Sequence, residues 1–221
     1  MPIQAVLFDF DGTLADTLPL SFDAFRCVFE TYENETLTDE QITAKFGPTE
    51  DDIIRRNVSD VSKAEAAIAD YYAFYENHFH ERVSMPRDIA HMLEDLNRQG
   101  VRMVIITGKS RRSLDVSLNK LGIEKYFCFS VSGDEVERPK PDPEGIFAAL
   151  KLLGLSKEEA IFVGDSSADI TAGKSAGLMT IGAHWFDTVQ TARFDPEPNR
   201  VLKSAGELTE LVRESRAAIE R

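Results

Sequence analysis

Cysteine is nearly absent from this chain, which has two in 221 residues. Cys27 and Cys128 lie far apart in the sequence, so the spacing matches neither a disulfide framework nor a zinc site. The segments around them have the pattern of a helix and of a strand, and we expect both to be buried thiols. The sequence therefore excludes the small disulfide-rich and zinc-stabilised classes of protein.

Long apolar runs and positive charge are also scarce. No run approaches the roughly 20 apolar residues that a membrane-spanning helix needs. The N-terminal segment lacks the basic region, apolar core and cleavage site of a secretory signal, which predicts a cytoplasmic protein. Lys and Arg number 25 against 38 Asp and Glu, a formal net charge of −13. So acidic a surface repels nucleic acid and anionic lipid, and we expect neither nucleic acid nor a membrane as a partner.

What the chain has instead is 43% hydrophobic residues arranged in short runs. Five of these runs are near-continuously apolar, as buried parallel strands are. They predict strands at 5–11, 101–107, 127–132, 160–165 and 178–183. Helical patterns lie between most of them, and three end at a glycine stop, at Gly100, Gly122 and Gly154. The alternation predicts an α/β fold with a doubly wound, Rossmann-like parallel sheet.

One long stretch interrupts the alternation. Residues 16–84 carry helical stripes of apolar side chains and no convincing strand. We therefore predict an inserted α-helical cap domain at 16–84 and a sheet domain built from 1–15 and 85–221. The segment 194–199 is interpreted as a loop before a terminal helix that begins near Gly206.

Unusual polar residues follow four of the predicted strands. In chain order they are Asp9 and Asp11, then Thr107, then Lys140, then Asp165 and Asp169. Because the carboxyl ends of parallel strands meet at one edge of a sheet, we expect these side chains to gather there. Carboxylates that converge repel one another unless a cation lies between them. A cluster of oxygen ligands favours a hard cation, and Mg²⁺ is the cofactor we expect.

These segments resemble, in order, the four motifs of the haloacid dehalogenase superfamily of phosphotransferases. They are DFDGT at 9–13, Thr107 in IITGKS, Lys140 in RPKPDP, and GDSSAD at 164–169. The helical insertion after the first motif resembles the cap of the phosphoglycolate-phosphatase-like branch. The resemblance implies a Mg²⁺-dependent phosphatase that acts on small phosphorylated metabolites through an aspartyl-phosphate.

The resemblance also implies a role for each motif residue. Asp9 would be the nucleophile, and Asp11 the acid and base that serves the leaving group and then water. Thr107 and Lys140 would hold the transferring phosphoryl oxygens, together with the backbone N–H groups of Gly12 and Gly108. The metal ligands would be Asp9, the backbone carbonyl of Asp11, Asp165 and Asp169.

Plainer readings of the same residues stay open. Asp11, Gly12 and Thr13 alone fit an ordinary turn, and Lys140 fits a solvated loop lysine. Asp165 and Asp169 also fit the cap of a helix that starts near Ser167. Among functions, the alternatives are a pyrophosphatase-like activity, a sugar phosphomutase of the same fold, and a non-enzymatic phospho-acceptor module. No motif predicts an oligomeric state.

Substrate choice is predicted to depend on the cap segment KFGPTEDDIIRR at 45–56. Gly47 belongs to a turn there, and Glu50 opens a helix that carries Arg55. The segment resembles the GPTE stretch of pyrophosphatase-like members of the superfamily. If it faces the site, Glu50 suits a leaving group with hydroxyls or an ammonium. A carboxylate or second phosphate would instead be recognised by Lys45, Arg55 or Arg56.

Overall fold

A computed structural model describes residues 2–188 and 190–217. Its strands form one parallel sheet in the order β3-β2-β1-β4-β5-β6. They are β1 (Ala5–Phe8), β2 (Arg102–Ile106), β3 (Phe129–Val131), β4 (Ala160–Gly164), β5 (Met179–Ala183) and β6 (Arg200–Leu202). The prediction of an α/β fold with a doubly wound parallel sheet is confirmed.

The α-helices fall into two groups. Four lie between β1 and β2 within 16–84: α1 (Leu18–Glu33), α2 (Asp39–Thr43), α3 (Glu50–Asn57) and α4 (Ala64–Arg82). The others accompany the sheet: α5 (Arg87–Arg98), α6 (Arg111–Leu121), α7 (Glu144–Leu153), α8 (Ser167–Ser175) and α9 (Ala205–Ala217). The division into two domains stays a prediction. None of the helices in the described ranges is long and apolar enough to cross a membrane.

The central strand β1 sets the position of the site. All four of its residues are buried, and Ala5 is in register with Arg102 of β2 and with Ala160 of β4. The prediction of a strand over 5–11 was too long, because the chain leaves the sheet after Phe8 and turns. The chain segments that follow β1, β2 and β4 therefore emerge at the same edge of the sheet.

The sequence prediction missed one strand, and its expectation about the two cysteines was wrong. The sequence pattern gave no sign of β6, a three-residue edge strand whose first two residues are exposed. Cys128 is exposed and Cys27 is only half-buried. Cys128 lies just before β3, an edge strand whose three residues are all only partly buried, so the sheet does not cover it.

Aromatic side chains join the inserted helices to each other and to the sheet region. Phe25 of α1 packs on Tyr71 of α4, with ring centroids 4.7 Å apart. From the same α4 helix, the Tyr75 hydroxyl lies 3.0 Å from the Ser117 hydroxyl of α6. At the start of α6, the Ser110 hydroxyl lies 2.8 Å from the Tyr72 hydroxyl of α4, and the Ser110 N–H donates to Glu50 of α3. The helices α3 and α4 therefore lie over the N-terminal end of α6.

Candidate active site

Three buried carboxylates meet at the carboxyl edge of the sheet. Asp9 directly follows β1, and its N–H donates to the Val163 carbonyl of β4 at 2.8 Å. Asp165 follows β4, and Asp169 lies in the first turn of α8. Asp9 is 3% exposed and the other two are fully buried. Each offers a carboxylate oxygen within 4.8 Å of the others, so the structure brings these predicted residues together.

Lys140 lies between two of these carboxylates. Its Nζ is 2.5 Å from Asp9 Oδ1 and 2.6 Å from Asp169 Oδ1. Burial alone would lower the pKa of Lys140, but Asp169 and Asp9 raise it above its ordinary value. The lysine is therefore a permanent cation that offsets part of the repulsion.

Asp169 also caps the start of helix α8, a role that its sequence position allowed. Its Oδ2 accepts the backbone N–H of Ser166 at 3.0 Å and the Ser166 hydroxyl at 2.6 Å. In return, the Ser166 hydroxyl accepts the Asp169 N–H, which completes a capping box at the start of α8. Helix capping thus fixes Asp169 in place and leaves Oδ1 directed at Lys140.

The carboxylate cluster fits a hard divalent cation. Asp165 Oδ2 accepts the Gln190 N–H at 2.9 Å, but its buried Oδ1 has no hydrogen-bond partner among the residues that the structure describes. A buried oxygen without a partner is costly, and a bound cation would remove that cost. Three carboxylates against one lysine also leave the cluster with excess negative charge. These are the donor type and the charge that Mg²⁺ requires.

Burial and mutual repulsion shift the titration of the cluster. Burial first, and then Asp169, raise the pKa of Asp9 to about 7, with Lys140 opposing the shift. Burial, and then Asp9 and Asp169, likewise hold the pKa of Asp165 well above its ordinary value. Without a metal ion, the folded protein therefore holds protons that the unfolded chain releases.

This shift predicts how the stability of the metal-free protein depends on pH. Between about pH 4 and pH 7, folded Asp9 binds more proton than unfolded Asp9, so the free energy of unfolding falls as pH rises. We expect Tm, measured by calorimetry in a chelating buffer, to fall more steeply over this range in the wild type than in Asp9→Asn. Parallel Tm curves for the two proteins would contradict the prediction.

Asp11 lies apart from the carboxylate cluster and has its own partners. Its Oδ1 accepts hydrogen bonds from the Thr17 hydroxyl and from Lys109 Nζ, the latter at 3.0 Å. Directly after Asp11 the chain turns, and Gly12 adopts a φ of +76°. A Cβ at Gly12 would lie 2.3 Å from Asp165 Oδ2, so this position requires glycine.

Lys109 is a site residue that sequence reasoning missed. Its side chain is 2% exposed, and its Nζ lies 3.5 Å from Glu50 Oε1 as well as 3.0 Å from Asp11 Oδ1. Burial alone would lower the pKa of Lys109, but Asp11, Tyr75 and Glu50 hold it well above its usual value. The signal available was the motif TGKS, in which this lysine follows Thr107 by two residues.

Removing Lys109 is expected to destabilise the fold. In Lys109→Met, Asp11 and Glu50 would stay in a dry environment without their shared cation. Breaking such a buried pair costs about 3 kcal/mol of unfolding free energy. Urea denaturation measures this loss, and the exposed Lys151→Met serves as the matched control. Equal unfolding free energies for the two variants would contradict the pairing.

A cavity of about 120 Å³ joins these groups. Its lining includes Asp9, Asp11, Thr107, Gly108 and Lys140 from the sheet region, and Gly47, Pro48 and Glu50 from the predicted specificity segment. Glu50 Oε2 accepts the Ser110 N–H at 2.8 Å, which ties α3 to the start of α6. The structure does not bring Arg55 to the cavity. The Arg55 side chain is 45% exposed, and its guanidinium pairs with Glu65 at 3.1 Å.

Comparison with known proteins agrees with this geometry. The sequence profile of the haloacid dehalogenase-like hydrolases matches residues 6–183. The chain is 35% identical to pyrophosphatase PpaX of Bacillus cereus (strain AH820) over 185 residues, which cover 84% of this chain and 85% of the relative.

Solved structures give the same assignment. A Bacteroides fragilis protein assigned to the haloacid dehalogenase-like hydrolases superposes with a TM-score of 0.78 and 28% identity, covering 93% of this chain and 99% of that one. CbbY from Rhodobacter sphaeroides, in complex with phosphate, shares the fold with a TM-score of 0.81 at 24% identity, covering 93% and 96%. The chain therefore belongs to the haloacid dehalogenase-like hydrolase family.

Proposed function

We propose that this enzyme is a Mg²⁺-dependent phosphatase that hydrolyses small phosphomonoesters through an aspartyl-phosphate on Asp9. One observation supports it above all others. The buried carboxylate of Asp9 opens into the cavity next to Asp11 while a lysine ammonium holds one of its oxygens at 2.5 Å. A nucleophile, a proton carrier and a fixed cation thus line one small space.

In the first step, an Asp9 oxygen attacks phosphorus and the ester bond to the leaving oxygen breaks. The leaving oxygen carries away the bonding electron pair and takes a proton from Asp11, so a neutral alcohol departs. Thr17 and Lys109 both contact Asp11 at Oδ1, and we assign the proton transfer to Oδ2.

In the second step, water attacks the phosphorus of the aspartyl-phosphate. Asp11, now ionised, takes the proton of the attacking water, and the bond between phosphorus and the Asp9 oxygen breaks. Inorganic phosphate leaves, Asp9 returns as a carboxylate, and Asp11 regains its proton. The cycle balances with water as the only co-substrate and needs no oxidant.

Charge build-up on the phosphoryl oxygens needs fixed positive partners. Lys140 and the Thr107 hydroxyl lie in the cavity lining and would hold these oxygens, with the backbone N–H of Gly108 as a further donor. The expected Gly12 donor is not available, because its N–H donates to the Ala15 carbonyl at 2.9 Å. Asp9, Asp165, Asp169 and the backbone carbonyl of Asp11 would hold Mg²⁺. When bound, the metal supplies charge neutralisation between the nucleophile and the phosphate.

Pyrophosphate hydrolysis is the second candidate. It is favoured by the PpaX relatives, which are named pyrophosphatases and are 34–35% identical to this chain. The chemistry on Asp9 would be the same, with a phosphate in place of the alcohol as leaving group. The two candidates differ only in the leaving group that the predicted cap accommodates.

Phosphate release from a panel of small phosphate esters and pyrophosphate tests the proposal. We expect release that requires Mg²⁺, stops on addition of EDTA and returns with excess Mg²⁺. Release without a divalent cation would contradict the metal requirement. Conversion of a hexose 1-phosphate to its 6-phosphate without phosphate release would identify a mutase instead.

A further inference from the structure

Each lysine that lines the cavity is already paired with two carboxylates. The charged side chains that line it are Asp9, Asp11, Glu50, Lys109 and Lys140. Lys140 contacts both Asp9 and Asp169, and Lys109 contacts both Asp11 and Glu50. Within the described lining, both lysines are therefore committed to carboxylates, and neither is left for an anionic group on the leaving side of the substrate.

The positive side chains of the specificity segment do not fill this gap. Lys45 Nζ donates to Asn57 Oδ1 at 2.6 Å and lies 5.7 Å from the centre of the Phe29 ring. Arg55 is engaged with Glu65 and, like the exposed Arg56, does not line the cavity. A carboxylate or second phosphate on the leaving group would thus lose its water without gaining a cation, which is unfavourable.

Glu50 is not available for an ammonium group either. One of its oxygens accepts the Ser110 N–H at 2.8 Å, and the other lies 3.5 Å from Lys109 Nζ. A substrate ammonium would have to displace Lys109 from this carboxylate. The Glu50 carboxylate is therefore already paired within the protein and is not available to a substrate ammonium.

The remaining cap surface offers apolar walls and neutral hydroxyls. The apolar lining residues of the cap are Leu18, Phe25, Phe46, Pro48 and Ile53. Among them lie Ser21 and Tyr71. The buried Tyr71 hydroxyl makes no well-formed hydrogen bond to any residue that the structure describes, although Ser21 lies near it. Burial and then Glu50 hold the pKa of Tyr71 well above its usual value, so this group stays a neutral donor.

We infer that the leaving group is an uncharged, hydroxyl-bearing small molecule, so that the substrate is a short polyol phosphate rather than an ester with a second anionic group or an amine. A substrate hydroxyl would give the Tyr71 hydroxyl the partner that it lacks. The cavity volume of about 120 Å³ favours a small leaving group. The inference rests on the proposed function and narrows its substrate class.

Values of kcat/KM for matched small substrates test the inference. The polyol arm is glycerol phosphate and the tetritol and pentitol phosphates. The other arms are phosphoglycolate, pyrophosphate and phosphoethanolamine. We expect the best polyol phosphate to exceed each of the three by at least about 10-fold. An equal or higher value for any of the three would overturn the inference.

Two variants test the residues that carry the argument. Tyr71→Phe removes only the hydroxyl, and we expect it to lower kcat/KM for the polyol phosphate by about 3- to 10-fold, and more than for p-nitrophenyl phosphate. Glu50→Gln releases Lys109 from one carboxylate and should raise turnover of phosphoglycolate relative to the polyol phosphate. Unchanged substrate ratios in both variants would overturn the assignment.

The generic ester p-nitrophenyl phosphate separates the two levels of the proposal. If Asp9-dependent hydrolysis of this ester is present but polyol phosphates are not preferred, only the substrate class is wrong. If no ester is hydrolysed, the proposed function fails and the substrate class fails with it.

Discussion

Replacement of Asp9 by asparagine is expected to lower kcat by at least about 10⁴-fold, because the amide has the same shape but no anionic oxygen to attack phosphorus. The neighbouring Lys140 would still have Asp169 as a partner, so we expect the fold to persist. Steady-state phosphate release measures the loss, and circular dichroism checks the fold.

The controls for this variant address conversion back to the acid and general effects of charge loss. Asp9→Ala cannot revert by deamidation and should be equally inactive. Asp115→Asn, on the exposed face of α6, removes the same charge where no site residue is touched and should keep wild-type turnover. Turnover by Asp9→Asn within about 10-fold of the wild type would exclude Asp9 as the nucleophile.

Replacement of Lys140 by methionine is the second large effect that we expect. The lysine is the cation that contacts both Asp9 and Asp169, and methionine fills similar space without charge. Loss of a fixed charge from a site sheltered from water costs at least about 2 kcal/mol of transition-state stabilisation, or about 30-fold in kcat/KM.

Lys151→Met, on the exposed side of α7, is the matched control for this substitution. Because the unpaired carboxylates also destabilise the fold, kcat/KM should be measured at a temperature where both variants are folded. A value for Lys140→Met within about 3-fold of the control would exclude a role for Lys140 in holding the transferring phosphoryl group.

The sequence predicted those parts of the molecule that depend on local pattern. The buried strands could be predicted because both faces of a parallel sheet are covered, so that each strand is a continuous run of apolar residues. The polar residues that follow β1, β2 and β4 could be assigned to one edge because parallel topology leaves no other arrangement. The edge strand β6 was missed because three residues, two of them exposed, carry no such pattern.

The part that the sequence could not predict is the pairing between the inserted helices and the sheet region. Lys109 and Glu50 are 59 positions apart, and nothing in the local sequence of either indicates the other. Glu50 looks like the acidic first residue of a helix, and it is one. Its contacts with Lys109 and Ser110 arise only when α3 packs over the start of α6. This long-range packing also decides which charged side chains of the inserted helices reach the cavity.

The stereochemistry at phosphorus tests the central claim most directly. A phosphorothioate ester made chiral with oxygen isotopes would be hydrolysed in isotopically labelled water, and the configuration of the product determined. Two in-line displacements, first by Asp9 and then by water, predict retention of configuration. Inversion would mean that water attacks the ester in a single step, and it would contradict the aspartyl-phosphate on which this account depends.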